Sequence, residues 1–132
     1  MLDLYGCNGN KARDLNQIFN FLDELPAKIG MTKITKPYVF FHKDKPGEEP
    51  GITGMVIIAE SHISIHTFPA RENYVTMDVY SCKLFDKEKV TRMIADELKP
   101  QKIDAQFVLR GRQFEKTVYG RQAIAALAKM PK

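Results

Sequence analysis

The chain has few of the side chains that carry most covalent and metal chemistry in proteins. Its 132 residues include no tryptophan, only two cysteines and only three histidines. Cys7 and Cys82 are far apart and form no Cys-x-x-Cys pair, so neither a disulfide framework nor a structural metal site is expected. Each cysteine is therefore interpreted either as a small core residue or as a chemical group.

Long apolar runs are also missing. No stretch of the chain approaches the roughly 18 apolar residues that a membrane-spanning helix requires. The first seven residues, Met-Leu-Asp-Leu-Tyr-Gly-Cys, have neither the basic region nor the apolar stretch of a signal peptide. We therefore expect a cytoplasmic protein with no membrane partner.

The chain also lacks a large excess of positive or negative charge. Lysine and arginine number 20 against 16 aspartates and glutamates, a net charge of +4. The basic residues are scattered except in the tail, at Arg110, Arg112, Lys116 and Arg121. Because a nucleic-acid surface needs a denser basic face with aromatic platforms, no nucleic acid is expected as a partner, and binding through the tail stays an alternative.

Hydrophobic residues make up 44% of the chain, and their periodicity predicts a single domain over residues 1–132. Strands are predicted over residues 2–5, 34–42, 54–59, 62–68, 74–82 and 103–109. Helices are predicted from Leu15, from the N-cap Asp86, and over residues 121–129. The first helix is predicted to share one apolar face among Leu15, Ile18, Phe19, Leu22 and Leu25. This order is typical of an α+β two-layer sandwich with helices on one face of a mainly antiparallel sheet. The other face needs a cover, so dimerisation is expected.

The most informative segment of the sequence is residues 60–66, Glu-Ser-His-Ile-Ser-Ile-His. A buried apolar strand leads directly into it, with no obvious turn residue between. Taken alone, Ser61 could be an ordinary serine at a strand end and His66 an exposed strand histidine. The residue pattern by itself does not exclude that interpretation.

Residues 51–69, which include this segment, closely resemble the prokaryotic S-adenosylmethionine decarboxylases. Three further motifs match the same family in the same order: residues 4–7 (Leu-Tyr-Gly-Cys), 41–43 (Phe-His-Lys) and 78–82 (Asp-Val-Tyr-Ser-Cys). The resemblance covers most of residues 1–110. It implies a self-cleaving decarboxylase of polyamine biosynthesis that acts on a small-molecule substrate.

The resemblance also implies the cofactor, a pyruvoyl group formed from Ser61. The Ser61 hydroxyl would attack the carbonyl of Glu60, converting the amide to an ester, and β-elimination would then break the chain. The expected products are a β chain of residues 1–60 and an α chain of residues 61–132 whose first residue becomes a ketone as ammonia is lost. A Schiff base between this ketone and the substrate amine would hold the electrons left when CO₂ departs.

Three further residues match positions to which the family assigns roles. Thr53 would steady the intermediate of the acyl shift by hydrogen bonding, and His66 would remove the Ser61 α-proton during β-elimination. Cys82 would return a proton to the substrate. Cys7 also matches a common family residue but is interpreted as core packing. The family implies a homodimer of αβ units with the site near the subunit interface.

Two departures from the family pattern touch substrate binding. Where the family has a second phenylalanine after Phe-His-Lys, implied to stack on adenine, this chain has Asp44 beside an insertion. Where the family has His-Thr-Trp-Pro-Glu, with the glutamate implied to bind the ribose, this chain has Ala70. Glu72 could replace that carboxylate if the turn bends differently, and Phe68 can still offer a stacking face.

The substrate therefore stays open between two classes. S-adenosylmethionine is the family default. A carboxylate at Asp44 would instead suit a cationic side chain, as in family members that decarboxylate L-arginine or L-ornithine. An unprocessed homologue that only binds a ligand is a further alternative, against which the joint presence of Thr53, Ser61, His66 and Cys82 argues.

Overall fold

The computed structural model describes residues 1–43, 46–47, 49–110 and 129. Its strands are β1 (Leu2–Tyr5), β2 (Tyr38–His42), β3 (Gly51–Ile58), β4 (Ser61–Phe68), β5 (Tyr74–Ser81) and β6 (Lys102–Ala105). Its helices are α1 (Gly9–Ala12), α2 (Leu15–Lys28) and α3 (Lys87–Leu98). Within the described residues, the strands form one antiparallel sheet in the order β2-β3-β4-β5-β1-β6. The predicted α+β two-layer sandwich is confirmed.

The helices begin at polar capping residues. Asp14 accepts a hydrogen bond from the backbone N–H of Gln17 at the start of α2, and Asp86 accepts one from Lys89 at the start of α3. Such caps satisfy backbone donors that have no partner inside the helix. Pro26 lies in the last turn of α2, which ends at Lys28.

The core lies between the helices and one face of the sheet. Alternate residues of β3 are buried there, while Met55 and Ile57 of the same strand are exposed. The helices contribute their apolar stripes: Ile18, Leu22 and Leu25 from α2, and Val90, Ile94 and Leu98 from α3. Gly54 permits the close approach of α2, because a Cβ at this position would lie 2.8 Å from Leu22 Cδ1.

The opposite side of the sheet, called the outer face, points away from α2 and α3. It presents large apolar side chains to solvent, among them Tyr38 (52% exposed), Phe40 (62%) and Met55. Apolar surface of this kind on a single chain is typical of an interaction surface.

Several predicted element bounds were wrong. The strand predicted from residue 34 begins at Tyr38, because Pro37 before it has no N–H to donate to a sheet. The strand predicted over 103–109 is β6, Lys102–Ala105, and Leu15 is 37% exposed at the start of α2. The helix predicted over 121–129 falls, except for Lys129, outside the described residues. In the described part of the chain, no helix is long and apolar enough to cross a membrane.

Candidate active site

Ser61 lies at the tight turn between β3 and β4. Ile58 pairs with Ser61, so the hairpin loop consists of Ala59 and Glu60 alone. Two-residue hairpin loops usually contain glycine or asparagine, which tolerate the required backbone angles. Here neither is present, and Ser61 has a φ of 155°, a value that residues with a Cβ rarely adopt. The backbone is therefore strained directly after the peptide bond that joins Glu60 to Ser61.

The residue before this bond is held at two points. The carbonyl oxygen of Glu60 accepts a hydrogen bond from the backbone N–H of Cys82 across 2.8 Å. The side-chain Oε2 of Glu60 accepts one from the backbone N–H of Thr32 across 3.1 Å. A donor already aimed at a carbonyl oxygen stabilises the negative charge that develops when a nucleophile attacks the carbonyl carbon. The Glu60 carbonyl is thus both fixed and polarised.

Cys82 is exposed and lies just beyond the end of β5. The strand stops at Ser81 because the Ser81 hydroxyl accepts a hydrogen bond from the Lys83 N–H (2.9 Å) and donates one to the Lys83 carbonyl (2.8 Å). The strand predicted over residues 74–82 therefore ends one residue earlier than expected. The pairing of Ser61 with Ser81 places Cys82 opposite Glu60, where its backbone N–H donates to the Glu60 carbonyl.

Thr53 and His66 form a separate pair on the outer face. They lie opposite each other on β3 and β4, with 3.1 Å between Thr53 Oγ1 and His66 Nδ1. His66 is five residues from Ser61 along the same extended strand, a separation of about 17 Å. Within one chain, the predicted base is thus not close to the predicted cleavage site.

Phe68 and Glu72 lie at the His66 end of β4. The ring of Phe68 stacks on Tyr74 with a centroid distance of 5.5 Å, and the guanidinium of Arg71 lies 5.5 Å from the Phe68 centroid. Glu72 is exposed in the following turn with a φ of 53°, and Ala70 is exposed beside it. Asp44, the remaining predicted substrate contact, lies outside the described residues.

The stack continues to β1 through Tyr74. Its ring lies 5.2 Å from that of Tyr5, and its hydroxyl donates a 2.7 Å hydrogen bond to Asp3 Oδ1. This hydrogen bond, aided by desolvation and by the Asp3 charge, raises the pKa of Tyr74 to about 12. Tyr74 therefore stays protonated at physiological pH and serves to fix the stack.

A cavity of about 1200 Å³ opens beside Cys82, as judged from the described residues. His62, Asp78, Tyr80 and Arg110 are among the residues that line it. The Arg110 guanidinium lies 4.5 Å from the Tyr80 ring centroid. The exposed thiol thus faces a space large enough for a small molecule.

The sequence did not indicate three of the contacts around this site. Thr32 acts through its backbone N–H, a group that almost every residue type has, so the sequence gives no signal for it. Lys83 donates from Nζ to the carbonyl of Gly30 across 3.0 Å, a contact between residues far apart in the chain. The aromatic stack of Tyr5 and Tyr74 could have been found, since both residues occupy outward positions on neighbouring strands.

The other cysteine plays no part in this arrangement. Cys7 is buried in the core, where burial raises the pKa of its thiol to about 11. It is therefore not a nucleophile at neutral pH.

Fold and site together define a class of protein: an α+β sandwich with a serine at a strained hairpin, next to a polarised carbonyl and an exposed thiol. A sequence model of the family described as S-adenosylmethionine decarboxylase matches residues 1–111. The chain is also 31% identical, over 113 residues, to the S-adenosylmethionine decarboxylase proenzyme of Clostridium botulinum (strain Langeland), covering 85% of this chain and 91% of that protein.

The proenzyme of the same name from Aquifex aeolicus is 37% identical over 114 residues, covering 84% of this chain and 78% of that protein. The crystal structure of the adenosylmethionine decarboxylase from Aquifex aeolicus matches with a TM-score of 0.64 at 34% identity, covering 83% of this chain and 86% of that one. The chain belongs to the S-adenosylmethionine decarboxylase family, as the motifs predicted.

Proposed function

We propose that this chain is a proenzyme that cleaves itself between Glu60 and Ser61 and then decarboxylates S-adenosylmethionine. The observation that carries the proposal is the hairpin itself. Ser61 is strained (φ 155°), and the carbonyl before it already accepts the Cys82 N–H across 2.8 Å. Family membership supplies the reaction class.

Self-cleavage needs only protein side chains and water. Ser61 Oγ attacks the carbonyl carbon of Glu60, the C–N bond breaks, and the hydroxyl proton passes to the Ser61 nitrogen, which leaves an ester. A base then removes the proton on the Ser61 Cα, the Cβ–Oγ bond breaks, and Glu60 becomes a C-terminal carboxylate. The dehydrated residue 61 takes up water and loses ammonia. The strained amide is absent from the products, so the release of strain favours the first step.

The ketone carbonyl of the pyruvoyl group left at residue 61 supplies an electron sink for the carbanion formed when CO₂ departs. The residues around the position fit this group. The Cys82 N–H bond to Glu60 holds the exposed Cys82 at the edge of the hairpin, beside the cavity. Its exposed thiol is the group proposed to return a proton to the substrate carbon.

The base and Thr53 have to come from a second copy of the chain. His66 lies about 17 Å from Ser61 of its own chain, too far for proton transfer. Two outer faces packed sheet on sheet, about 10 Å apart, would bring Thr53 and His66 of one copy towards Ser61 of the other. The same packing would bury Tyr38 and Phe40, and it makes the enzyme a homodimer of αβ units.

Phe68 supports S-adenosylmethionine as the substrate. It shares the His66 end of β4, so the same packing would carry its ring to the partner's site. An aromatic face there can stack on a purine, while the exposed carboxylate of Glu72 can accept hydrogen bonds from ribose hydroxyls. The comparisons do not favour arginine or ornithine, and decarboxylation of S-adenosylmethionine places the enzyme in polyamine biosynthesis.

The test combines intact-mass measurement with a parallel substrate assay. Purified protein should separate on a denaturing gel into residues 1–60 and 61–132, with the mass of residue 61 matching a ketone in place of serine. CO₂ should be released from S-adenosylmethionine and not from arginine or ornithine. A full-length chain with an unmodified serine in active material would overturn the proposal, and release from arginine or ornithine alone would overturn its substrate.

A further inference from the structure

The loop after α2 contacts the two segments that meet at the cleavage site, one at Glu60 and the other at Lys83. Residues 30–34, called the anchor segment, run beside the end of β3. The Ile34 N–H donates to the Ile57 carbonyl (3.0 Å), and the Ala59 N–H donates to the Thr32 carbonyl (2.8 Å). The segment therefore lies against the hairpin loop at the point where the chain is to be cut.

Two side chains connect the reacting groups to this segment. Glu60, directly before the scissile bond, accepts the Thr32 N–H at its carboxylate (3.1 Å). Lys83, directly after Cys82, donates from Nζ to the Gly30 carbonyl (3.0 Å). Because the Cys82 N–H also donates to the Glu60 carbonyl (2.8 Å), these contacts close a ring that runs from Glu60 through the anchor segment to Lys83 and back.

The anchor segment is itself tied to α2. Lys33 donates from Nζ to the carboxylate of Asp23 and to its backbone carbonyl, the latter across 3.2 Å. The hydrogen bond from Lys33 is the main cause that lowers the pKa of Asp23. The segment is thus a fixed support for the hairpin.

From this ring we infer that Glu60 and Lys83 are positioning residues for self-cleavage. They hold the Glu60 carbonyl against the Cys82 N–H while Ser61 attacks it. The inference rests on the proposed function and adds two residues to it.

The strain at Ser61 makes these contacts necessary. A loop of Ala59 and Glu60 has no glycine or asparagine to favour its own geometry, so surrounding contacts must hold the strained backbone in place. Without the Glu60–Thr32 bond, the loop can rotate and relax with its amide still intact. The carbonyl then turns away from its donor, and the acyl shift slows.

The test compares cleavage rates of the full chain after synthesis in a cell-free system. Glu60→Ala and Lys83→Met remove the two contacts, while Glu60→Gln keeps an acceptor and Lys83→Arg keeps a donor. Glu24→Ala and Lys28→Met are matched controls, since they remove the same charges from an exposed ion pair (2.9 Å) on α2. We expect about tenfold slower cleavage for the first two, recovery to within about threefold for the conservative variants, and wild-type rates for the controls.

Hydroxylamine at mildly alkaline pH locates the affected step, because it cuts esters far faster than amides. Uncleaved Glu60→Ala chain should resist it, since the ester has not formed. His66→Ala, which removes the base of the second step, should accumulate a hydroxylamine-sensitive chain.

Cleavage of Glu60→Ala and Lys83→Met at the wild-type rate would overturn the inference, as would a hydroxylamine-sensitive ester in Glu60→Ala. Comparing the thermal unfolding of each variant with that of the uncleavable Ser61→Ala chain separates slow cleavage from misfolding. Lys83 is exposed, so Lys83→Met tests the inference even if Glu60→Ala does not fold. A wild-type chain that never cleaves would overturn the proposed function, and this inference with it.

Discussion

Thr53 Oγ1 and His66 Nδ1 lie 3.1 Å apart across β3 and β4, at the opposite end of β4 from Ser61. The two side chains can orient each other through this hydrogen bond. The threonine hydroxyl can donate to an unprotonated Nδ1 or accept from a protonated one. Ser61, after the proposed scissile bond, thus lies at one end of β4, and the two groups proposed to act on it lie near the other end.

Complementation between two inactive variants tests whether these groups act between chains. Ser61→Ala removes the nucleophile but keeps His66, and His66→Ala does the reverse. When the two are co-expressed, we expect the His66→Ala chain to be cleaved in mixed dimers, as seen by gel with one variant carrying a mass tag.

The control is each variant expressed alone, which should stay uncleaved. If co-expression yields no more fragments than the single variants, Thr53 and His66 do not act across the dimer. Thr53→Ala in place of His66→Ala should be complemented in the same way.

Cys82 is predicted to have two separable roles. Its backbone N–H polarises the Glu60 carbonyl, and its thiol is proposed to return a proton to the substrate. Cys82→Ala keeps the N–H and removes the thiol, so self-cleavage should continue while decarboxylation falls by about 100-fold. Gel analysis and CO₂ release on the same preparation check both. A variant that stays intact would show that the side chain is needed for cleavage.

Tyr74 is predicted to make the free energy of unfolding depend on pH in the alkaline range. The pKa of Tyr74 is raised to about 12 because its hydroxyl donates to Asp3. This bond therefore contributes its full stability below the ordinary tyrosine pKa of about 10 and loses it as the pH rises towards 12.

Tyr74→Phe in the Ser61→Ala background should lower the free energy of unfolding by about 1 kcal/mol at pH 8, a modest value because the pair is partly exposed. The difference from the parent should shrink as the pH rises above 10. Urea titrations at several pH values measure it, and a difference that grows with pH would contradict the assigned direction of the shift.

Gly54 is predicted to be essential to the packing of α2 on β3. A methyl group there would lie 2.8 Å from Leu22 Cδ1 and 3.1 Å from Ile65 Cγ2, so Gly54→Ala should destabilise the protein by about 1–3 kcal/mol. Urea unfolding in the Ser61→Ala background measures the change. Gly9→Ala is the control, since its methyl group would meet only the side-chain amide of Asn73, at 3.2 Å. Equal effects of the two substitutions would refute the packing argument.

The fold could be predicted because its signals are local. Alternating apolar residues mark β4 and β5, where one face is buried, and Asp86 marks the start of α3. The exact start of β2 and the exposure of Leu15 could not be predicted, because both depend on how distant segments pack against them.

The site could be predicted only in part. Ser61, His66, Thr53 and Cys82 were named because family motifs contain those side chains. The roles of Thr32 and Cys82 as backbone donors leave no trace in residue type. The distance between His66 and Ser61 follows from the extended strand, and it supports the dimer that the family resemblance implied.

The order of strands has a consequence for the mature enzyme. Cleavage would assign β1, β2 and β3 to one product and β4, β5 and β6 to the other, yet β1 lies between β5 and β6 in the sheet. The two polypeptides are therefore interlaced, and they part only if three rows of hydrogen bonds open, between β3 and β4, β5 and β1, and β1 and β6. Maturation would thus convert a sheet that a single chain can assemble into one that two molecules must rebuild together, so re-formation of the sheet itself should become dependent on protein concentration.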